Sequence, residues 1–268
     1  MSFSILMSVY SQDNPDYFDK ALRSVLVNQT LAPDELVLVI DGPLGSKAEN
    51  IIQYWIGQSQ VPIRLLRKPK NEGLAKALND GLDLCSNELV FRMDADDISL
   101  ESRFSRQYTF MLENPDVDVL GAFISEFGDD ESEVLSIRKV PVRHGDICKF
   151  AKARNPISHP VVCFRKSGVV VAGGYPLMYP EDYMLWINMI QMGAKFANIP
   201  EVLLKMRTGE SFIKRRGFRF LKGELRSYHY MYNSGFISLF DFIRYSFARS
   251  LLRLAPPGLK VLLYRKAR

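Results

Sequence analysis

Three carboxylates lie within four residues, at Asp94, Asp96 and Asp97, directly after the apolar run from Leu89 to Met93. So dense a group of acids repels itself unless a cation or hydrogen-bond donors hold it together. Hard divalent ions such as Mg²⁺ and Mn²⁺ take oxygen ligands and commonly bridge one or two carboxylates to the phosphates of a substrate. The spacing therefore indicates a metal and diphosphate site. The alternative is a solvated acidic turn that caps a helix expected to begin near Leu100.

The chain before this cluster alternates buried runs of strand length with amphipathic runs of helical period. This alternation predicts a mostly parallel α/β sheet with right-handed crossovers, in which ligands bind outside the carboxyl ends of the strands. Tyr10, Asp41 and the acid cluster each follow a predicted strand, so we expect them to converge on one rim. Strands are expected over residues 3–10, 35–42, 63–67 and 88–93. Three helices are expected between them: the first ends near Asn28, the second covers about residues 46–58, and the third begins after Asn71.

In their order and spacing these motifs resemble those of the family-two glycosyltransferases, which use the nucleotide-sugar-binding GT-A fold. The resemblance covers roughly residues 3 to 207. Through residues 155–160 and 164–167 the chain looks most similar to enzymes of the amylovoran and O-antigen type. The residues that carry the family resemblance are Ser8-Val9-Tyr10, Asp41-Gly42, Asn71-Glu72-Gly73 with Lys76 and Asn79, Asp94-Ala95-Asp96-Asp97, and Glu181-Asp182-Tyr183-Met184-Leu185-Trp186.

The resemblance implies both a fold and a division of the chain. The fold is α/β of GT-A type, Rossmann-like, with a mostly parallel sheet flanked by helices and a basic amphipathic helical tail at the C-terminal end. Residues 1–210 are expected to form the catalytic domain, with a nucleotide-binding half over 1–97 and an acceptor half over 98–210. Residues 211–268 are expected to form the tail.

On the donor side, the resemblance assigns the nucleotide base to the loop at Val9 and Tyr10 and to the carboxylate of Asp41, which would accept a hydrogen bond from the uracil imide. Lys76, one turn inside its helix, would reach the diphosphate. Two alternatives stay open. Asp41-Gly42 is also a common turn-forming pair, and Lys76 is also an ordinary surface lysine.

The same resemblance assigns Mn²⁺ or Mg²⁺ to the acid cluster. Asp96 would bind the ion that bridges the two phosphates, and Asp94 would contact the ribose or the ion. Asp97 would either join them or cap the next helix. Transfer from a sugar nucleotide expels a nucleoside diphosphate, and the charge that develops on it must be neutralised in the transition state.

Asp182 is the expected catalytic base, because the second position of the Glu181-Asp182 pair holds the base in the family. It would take the proton of the acceptor hydroxyl. One base without a second carboxylate nucleophile fits one-step inversion, which the resemblance implies. An acidic pair that opens a helix is also ordinary charge placement. His159 and Glu181 would contact a phosphate or the acceptor. Trp186, four residues after Asp182 on the same helical face, would form an apolar wall under a sugar ring. Structural roles are the alternative for His159 and Trp186.

Charge divides the chain sharply, because residues 211–268 carry 13 Lys and Arg against 2 Asp and Glu, whereas residues 1–210 carry 22 against 28. Interleaved arginines and large apolar residues at helical spacing are typical of an interfacial helix attracted to anionic lipid. No uncharged run approaches the roughly 18 residues needed to span a bilayer. We expect peripheral membrane attachment, with helices packed on the catalytic core as the alternative. No nucleic-acid-binding motif accompanies the basic residues.

The cysteines Cys85, Cys148 and Cys163 are too few and too scattered for a disulfide framework, and no basic segment of a signal peptide precedes the first strand. These features fit a reducing cytoplasm, and the resemblance implies a peripheral protein at the cytoplasmic face of the bacterial inner membrane.

The expected activity is inverting transfer of glucose or galactose from a UDP-sugar to a lipid-diphosphate-linked sugar such as N-acetylglucosamine, in O-antigen or exopolysaccharide synthesis. A nucleotidyltransferase is a rival, although residues 8–15 lack the glycine-rich loop that it needs. A non-catalytic assembly scaffold is another, although it would need neither the acid cluster nor Asp182.

Overall fold

The N-terminal part of the chain forms the parallel half of the sheet. The computed structural model describes residues 2–208 and 218–254. Its first elements are β1 (Ser4–Val9), α1 (Pro15–Leu26), β2 (Glu35–Ile40), α2 (Ser46–Gln58), β3 (Ile63–Arg67), α3 (Leu74–Leu84) and β4 (Leu89–Met93). The strands lie in the order β3-β2-β1-β4 and all pair in parallel, so their carboxyl ends share one rim. The strands and helices expected for this part of the sequence are confirmed.

The rest of the sheet is mixed. Its elements are β5 (Ile98–Ser99), α4 (Arg103–Glu113), β6 (Val119–Phe127), β7 (Ser136–Arg138), α5 (His144–Ala151), β8 (Cys163–Arg165), α6 (Lys166–Val171), α7 (Glu181–Gln191) and β9 (Phe196–Arg207). Strand β8 joins β4 to β6 through antiparallel pairs, and β6 pairs in parallel with β9. The helix expected near Leu100 begins at Arg103 instead, because Ile98 and Ser99 first pair with β9.

Helices cover both faces of this sheet. One face packs on α1, α2 and α4, and the other packs on α3, α6 and α7. Helix α1 shows how the sequence places such a helix. The side chain of Asn14 accepts the backbone N–H of Asp16, Pro15 occupies the first turn, and Phe18, Leu22 and Val25 are buried on one face. The loops between strands and helices are thereby held at the rim where the chemistry-bearing residues lie.

The C-terminal part of the described chain forms a helical hairpin of α8 (Phe218–Asn233) and α9 (Leu239–Leu254). Tyr228 and Met231 of α8 are buried together with Tyr183 and Ile187 of α7. Helix α8 therefore packs on α7 at the side of the α/β core, and packing on the core was the alternative to membrane attachment. Helix α9 packs on α8 and leaves large apolar side chains exposed at Leu239, Phe240, Ile243, Phe247 and Leu251.

Two features of the expected tail lie outside the described residues. These are the domain boundary at residue 210 and the basic cluster at residues 214–216. Among the helices of residues 2–208 and 218–254, none combines the length and apolar character needed to cross a membrane.

Candidate active site

The carboxylates of Asp94, Asp96 and Asp97 meet just beyond the carboxyl end of β4, with one oxygen of each within 4.8 Å of the others. Asp94 and Asp96 are partly exposed, and Asp97 is buried. Burial, reinforced by the charge of Asp94, raises the pKa of Asp96 to about 6 and raises that of Asp97 well above its usual range. Three carboxylates side by side, two of them with raised pKa values, are a donor set that a hard divalent cation would bind and neutralise. The residues present therefore fit Mg²⁺ or Mn²⁺.

Asp97 fixes the acid cluster to the other half of the sheet. Its Oδ1 accepts the backbone N–H of Arg207 in β9 at 2.8 Å, and its buried Oδ2 has no hydrogen-bond partner among the described residues. Arg207 also donates from Nε to the carbonyl of Asp96 at 3.1 Å, and its guanidinium lies 3.6 Å from the ring centroid of Tyr17. Asp97 does not cap the next helix, since α4 has Ser102 at its N-cap. That alternative is wrong, and metal binding by Asp97 stays a prediction.

Arg92 is a buried cation beneath this cluster that sequence reasoning missed. Its side chain donates through Nη2 to Oδ1 of Asp94, whereas Nε and Nη1 have no hydrogen-bond partner in the described parts of the chain. Burial lowers the pKa of Arg92, but Asp94 and Asp97 raise it more, so the guanidinium stays charged. The available signal was an arginine inside the otherwise apolar run of β4.

The expected base-binding rim is formed by the ends of β1 and β2. Val9 is buried, and Tyr10 is 37% exposed. Both carboxylate oxygens of Asp41 accept backbone N–H groups at 2.9 Å, one from Glu72 and the other from Gly73. Asp41 therefore holds the loop before α3 against β2, and a nucleobase would have to share its oxygens with that loop.

Lys76 lies on α3 with its Nζ 2.5 Å from Oδ1 of Asp80, one turn further along the same helix. A second lysine, Lys68, is buried and lies 2.8 Å from both Oδ2 of Asp80 and Oε2 of Glu72. Asp80 is thus shared by two lysines. Lys76 would have to leave this pair to reach a diphosphate, and Lys68 is a cation that the motif spacing did not single out.

The Glu181-Asp182 pair opens α7, as expected. Nδ2 of Asn155 donates to Oδ2 of Asp182 at 2.6 Å, and Oδ1 of Asn155 accepts the N–H of Ile157 at 3.2 Å, which fixes the amide. Burial raises the pKa of Asp182, and hydrogen bonds from the backbone of Tyr183 and from the side chain of Asn155 oppose that rise. Burial and the charge of Asp182 raise the pKa of Glu181 to about 7. Carboxylates with raised pKa values are suited to proton transfer.

Electrostatic interactions connect this pair to the acid cluster. After burial, the charge of Arg92 is among the influences on the pKa values of both Glu181 and Asp182, and it lowers both. The charge of Asp94 acts on Glu181 in the opposite direction and raises its pKa. The structure therefore brings the end of β4 and the start of α7, which are far apart in sequence, into one charged site.

His159 and Trp186 lie behind this site in an aromatic group. Nε2 of His159 is 3.1 Å from the hydroxyl oxygen of Tyr175, and its ring centroid is 6.3 Å from that of Trp186. Burial, and the charge of Arg92, hold the pKa of His159 well below its usual range, so the ring is neutral. Trp186 is fully buried against Phe196, so the expected apolar wall under a sugar ring is wrong. A contact of His159 with substrate stays a prediction.

The loop at Gly174 and Tyr175 is tied to α3 by Asn79. Oδ1 of Asn79 accepts the N–H of Tyr175 at 2.7 Å, and its Nδ2 donates to the carbonyl of Tyr175 at 2.8 Å. Gly174 has φ +73°, and a Cβ there would lie 2.6 Å from Oδ1 of Asn79. A side chain at Gly174 would therefore strain the backbone and displace the amide that orients Tyr175.

The chain is similar to known glycosyltransferases over most of its length. The family model described as Glycosyl transferase family 2 matches residues 4–168. The amylovoran biosynthesis glycosyltransferase AmsE of Erwinia amylovora is 38% identical over 271 residues, which cover 99% of both chains. The UDP-Gal:alpha-D-GlcNAc-diphosphoundecaprenol beta-1,3-galactosyltransferase of Escherichia coli is 36% identical over 266 residues, or 98% of this chain and 95% of the relative.

A solved structure resembles the whole fold. The mannosyltransferase PcManGT from Pyrobaculum calidifontis, in complex with GDP-Man and Mn²⁺, superposes with a TM-score of 0.68 over 99% of this chain and 79% of its own. At 16% identity this likeness concerns the fold alone. The GT-A-type fold expected from the sequence is confirmed.

Proposed function

The chain belongs to glycosyl transferase family 2, and from that premise we propose that it transfers a hexose, glucose or galactose, from a UDP-sugar to a lipid-diphosphate-linked sugar. It is a glycosyltransferase with close relatives in exopolysaccharide and O-antigen synthesis. The Escherichia coli relative is named for UDP-Gal and for GlcNAc-diphosphoundecaprenol. Because the two chains match over nearly their whole lengths, that name supports the same donor and acceptor classes here.

The observation that carries the proposal is the placing of two carboxylate groups around one buried arginine. The acid cluster at Asp94, Asp96 and Asp97 is suited to a diphosphate held through a cation. Asp182, held by Asn155, is suited to a hydroxyl that loses its proton. The same site therefore contains groups suited to the donor diphosphate and a group suited to the acceptor hydroxyl.

Asp96, with Asp94 and Asp97, would hold Mn²⁺ or Mg²⁺. When bound, the ion supplies positive charge that neutralises the leaving diphosphate. The protein orients the ligands. Arg92 holds Asp94 by hydrogen bonding and partly offsets the repulsion within the cluster, and the bond from Asp97 to the backbone of Arg207 fixes the cluster to β9.

Asp182 would act as the catalytic base. As the acceptor oxygen forms its bond to the anomeric carbon, the bond from that carbon to the diphosphate breaks, UDP leaves with the electron pair, and the acceptor proton moves to Asp182. Asn155 donates to Oδ2 of Asp182, and the backbone N–H of Tyr183 also favours the ionised carboxylate that would accept the proton. Attack opposite the leaving group inverts the anomeric carbon. An α-linked UDP-sugar then gives a β-linked product, as in the name of the Escherichia coli relative.

The remaining expected site residues take supporting roles in this proposal. Val9, Tyr10 and Asp41 would border the nucleotide base, where Asp41 also keeps the loop before α3 in place. Lys76 would exchange Asp80 for the diphosphate of the donor. Glu181 and His159 would border the acceptor sugar.

We also propose that the enzyme is a peripheral protein at the cytoplasmic face of the inner membrane, where a lipid-linked acceptor would meet a UDP-sugar. Helix α9 exposes Phe240, Phe247 and Ile243, at 72%, 69% and 58%, while Arg249 turns inward and donates to the hydroxyl of Tyr228 at 3.2 Å. A helix that presents its large apolar side chains to solvent is suited to lie in a bilayer interface, and the basic C-terminal region would be attracted to anionic lipid.

The test is a screen of UDP-sugars against a synthetic GlcNAc-diphosphate-lipid, with Mn²⁺ or Mg²⁺ present and UDP release as the readout. We expect acceptor-dependent release of UDP from UDP-glucose or UDP-galactose. Pyrophosphate release from UTP and a sugar phosphate would indicate a nucleotidyltransferase instead. No turnover of any UDP-sugar would favour a non-catalytic scaffold and would contradict the proposal.

A further inference from the structure

A surface groove of about 740 Å³ runs along α8 beside the loop that precedes α7. Met178 of that loop and Leu221 and Leu225 of α8 supply apolar side chains to its lining. Leu221 is buried, whereas Met178 and Leu225 are partly exposed. The groove therefore offers a hydrocarbon chain an apolar surface that the fold of the described residues leaves open to solvent.

One side of this groove carries two positive charges. Lys222 and Arg226 lie four residues apart on one side of α8, and both line the groove and are exposed. His229 follows on the same side, and its Nε2 lies 3.1 Å from Nδ2 of Asn233. The described residues that line the groove include no Asp or Glu. An apolar surface with a basic edge is complementary to an amphiphile whose head group is an anion.

Contacts of α8 and α9 connect the groove to the catalytic base. A Cβ built at Gly223, between two residues of the groove, would lie 2.6 Å from Cδ1 of Tyr179, three residues before Asp182. The hairpin also holds the segment that carries Asn155, since the hydroxyl of Tyr228 donates to the carbonyl of Ala153 at 2.9 Å. The groove thus adjoins the segment before Asp182, and the helix that lines it also holds the segment that carries Asn155.

We propose that this groove binds the diphosphate and the adjoining hydrocarbon of the acceptor lipid, with the diphosphate on Lys222 and Arg226 and the chain along Leu221, Leu225 and Met178. The inference rests on the acceptor class proposed above. In such an acceptor one sugar separates the attacked hydroxyl from the diphosphate. A groove that adjoins the loop before Asp182 is therefore a suitable place for the diphosphate once the sugar lies at the base.

The test uses farnesyl diphosphate, which carries the head group and a short isoprenyl chain but no sugar. Its binding to the full-length protein is measured by titration calorimetry in EDTA with saturating UDP, so that neither a metal nor an open donor site contributes. We expect farnesyl diphosphate to bind more tightly than farnesol or inorganic diphosphate, because each of these lacks one half of the ligand. Equal binding of farnesol, binding that occurs only when UDP is left out, or equal binding of a short-chain phosphatidylglycerol would overturn the inference.

The variant Lys222→Gln with Arg226→Gln should weaken farnesyl diphosphate binding by roughly tenfold to a hundredfold, as expected when two charge-assisted contacts are lost. Leu225→Gln should weaken binding of farnesyl diphosphate only through its hydrocarbon chain, and it should therefore weaken binding of farnesol as well. Lys149→Gln removes a positive charge from an exposed position on α5 and is the matched control, with unchanged binding expected. Unchanged UDP affinity in every variant shows that the fold is intact.

Failure of this inference and failure of the proposed function are distinguishable. Normal transfer to a GlcNAc-diphosphate-lipid, with unchanged farnesyl diphosphate binding and an unchanged acceptor KM in the Lys222/Arg226 double variant, would overturn the groove alone. Farnesyl diphosphate binding that depends on Lys222 and Arg226, without any transfer to that acceptor, would support the groove and contradict the acceptor proposed above.

Discussion

Replacing Asn155 with alanine should shift the pH dependence of turnover, because Asn155 donates a hydrogen bond of 2.6 Å to the proposed base Asp182. Burial raises the pKa of Asp182, and this hydrogen bond favours the ionised form and limits the rise. The base must be ionised to accept a proton. Without Asn155 its folded pKa rises further, so activity should be lost at a higher pH as the solution is made more acidic.

The size of the shift follows from the energy of such a bond. A hydrogen bond to a charged group contributes about 1.5–3 kcal/mol, and one pKa unit corresponds to about 1.4 kcal/mol. Because Asn155 is only partly buried, a water molecule that enters the vacated space would restore part of the lost hydrogen-bond energy. We therefore expect the acidic limb of the kcat profile to move up by about one unit, which lowers kcat about tenfold on that limb and leaves the alkaline plateau within a few fold.

The assay is kcat against pH at saturating UDP-sugar and acceptor, with UDP release as the readout. Asn155→Asp should move the limb further, since it places a second carboxylate against Asp182. Asn114→Ala is the control, because its amide donates to the carbonyl of Phe110 near the end of α4. An unmoved acidic limb in both Asn155 variants, with only the acceptor KM raised, would refute a role for Asn155 in setting the proton affinity of the base.

Three further predictions concern the metal, the base and the hairpin. EDTA should abolish activity and Mn²⁺ or Mg²⁺ should restore it, and Asp96→Ala should lower turnover by roughly 10²–10³; full activity in chelator would exclude the metal-dependent mechanism. Asp182→Asn should lower kcat by roughly 10²–10⁴ with little change in UDP-sugar affinity, whereas lost donor binding with normal turnover would move Asp182 to the donor site. Phe240→Ser with Phe247→Ser should reduce sedimentation with anionic vesicles while activity on a short soluble acceptor is kept, and unchanged sedimentation would contradict docking through α9.

The first half of the fold was predictable because its signals are local. Each parallel strand is a continuous apolar run, and each helix carries its own amphipathic period and start signals, such as Asn14 and Pro15 before α1. The second half depends on pairing between distant residues. Strand β8 has three residues and becomes a strand only because β4 and β6 flank it, so no pattern within Cys163–Arg165 could reveal it.

The acidic residues of the site were found because they lie in short motifs, but their partners were missed. Asn155 and Asp182 are hydrogen-bonded although they lie 27 positions apart in the sequence, and the backbone of Arg207 bonds Asp97 at a separation of 110 positions. Such contacts follow from the tertiary fold. Arg92 carried a faint signal as a charge within a buried strand, and its meaning depended on how close Asp94 and the start of α7 come to lie.

Helical spacing misled the interpretation of Trp186. Its distance of four residues from Asp182 placed both side chains on one face of α7, yet that helix is buried almost all round, and Trp186 packs in the core. The C-terminal helices show the same ambiguity. Amphipathic spacing identified their apolar faces without indicating that α8 would pack on α7 and that α9 would leave its stripe exposed.

The most direct test of the central claim is the anomeric configuration of the product. UDP-glucose or UDP-galactose is incubated with a GlcNAc-diphosphate-lipid, the full-length enzyme and Mn²⁺, and the new linkage is read from its proton coupling by NMR. Attack by a hydroxyl that Asp182 deprotonates, opposite a diphosphate bound near Asp96, predicts a β-linkage that the Asp182→Asn variant forms far more slowly. An α-linked product, or a β-linked product formed equally well by that variant, would contradict the account.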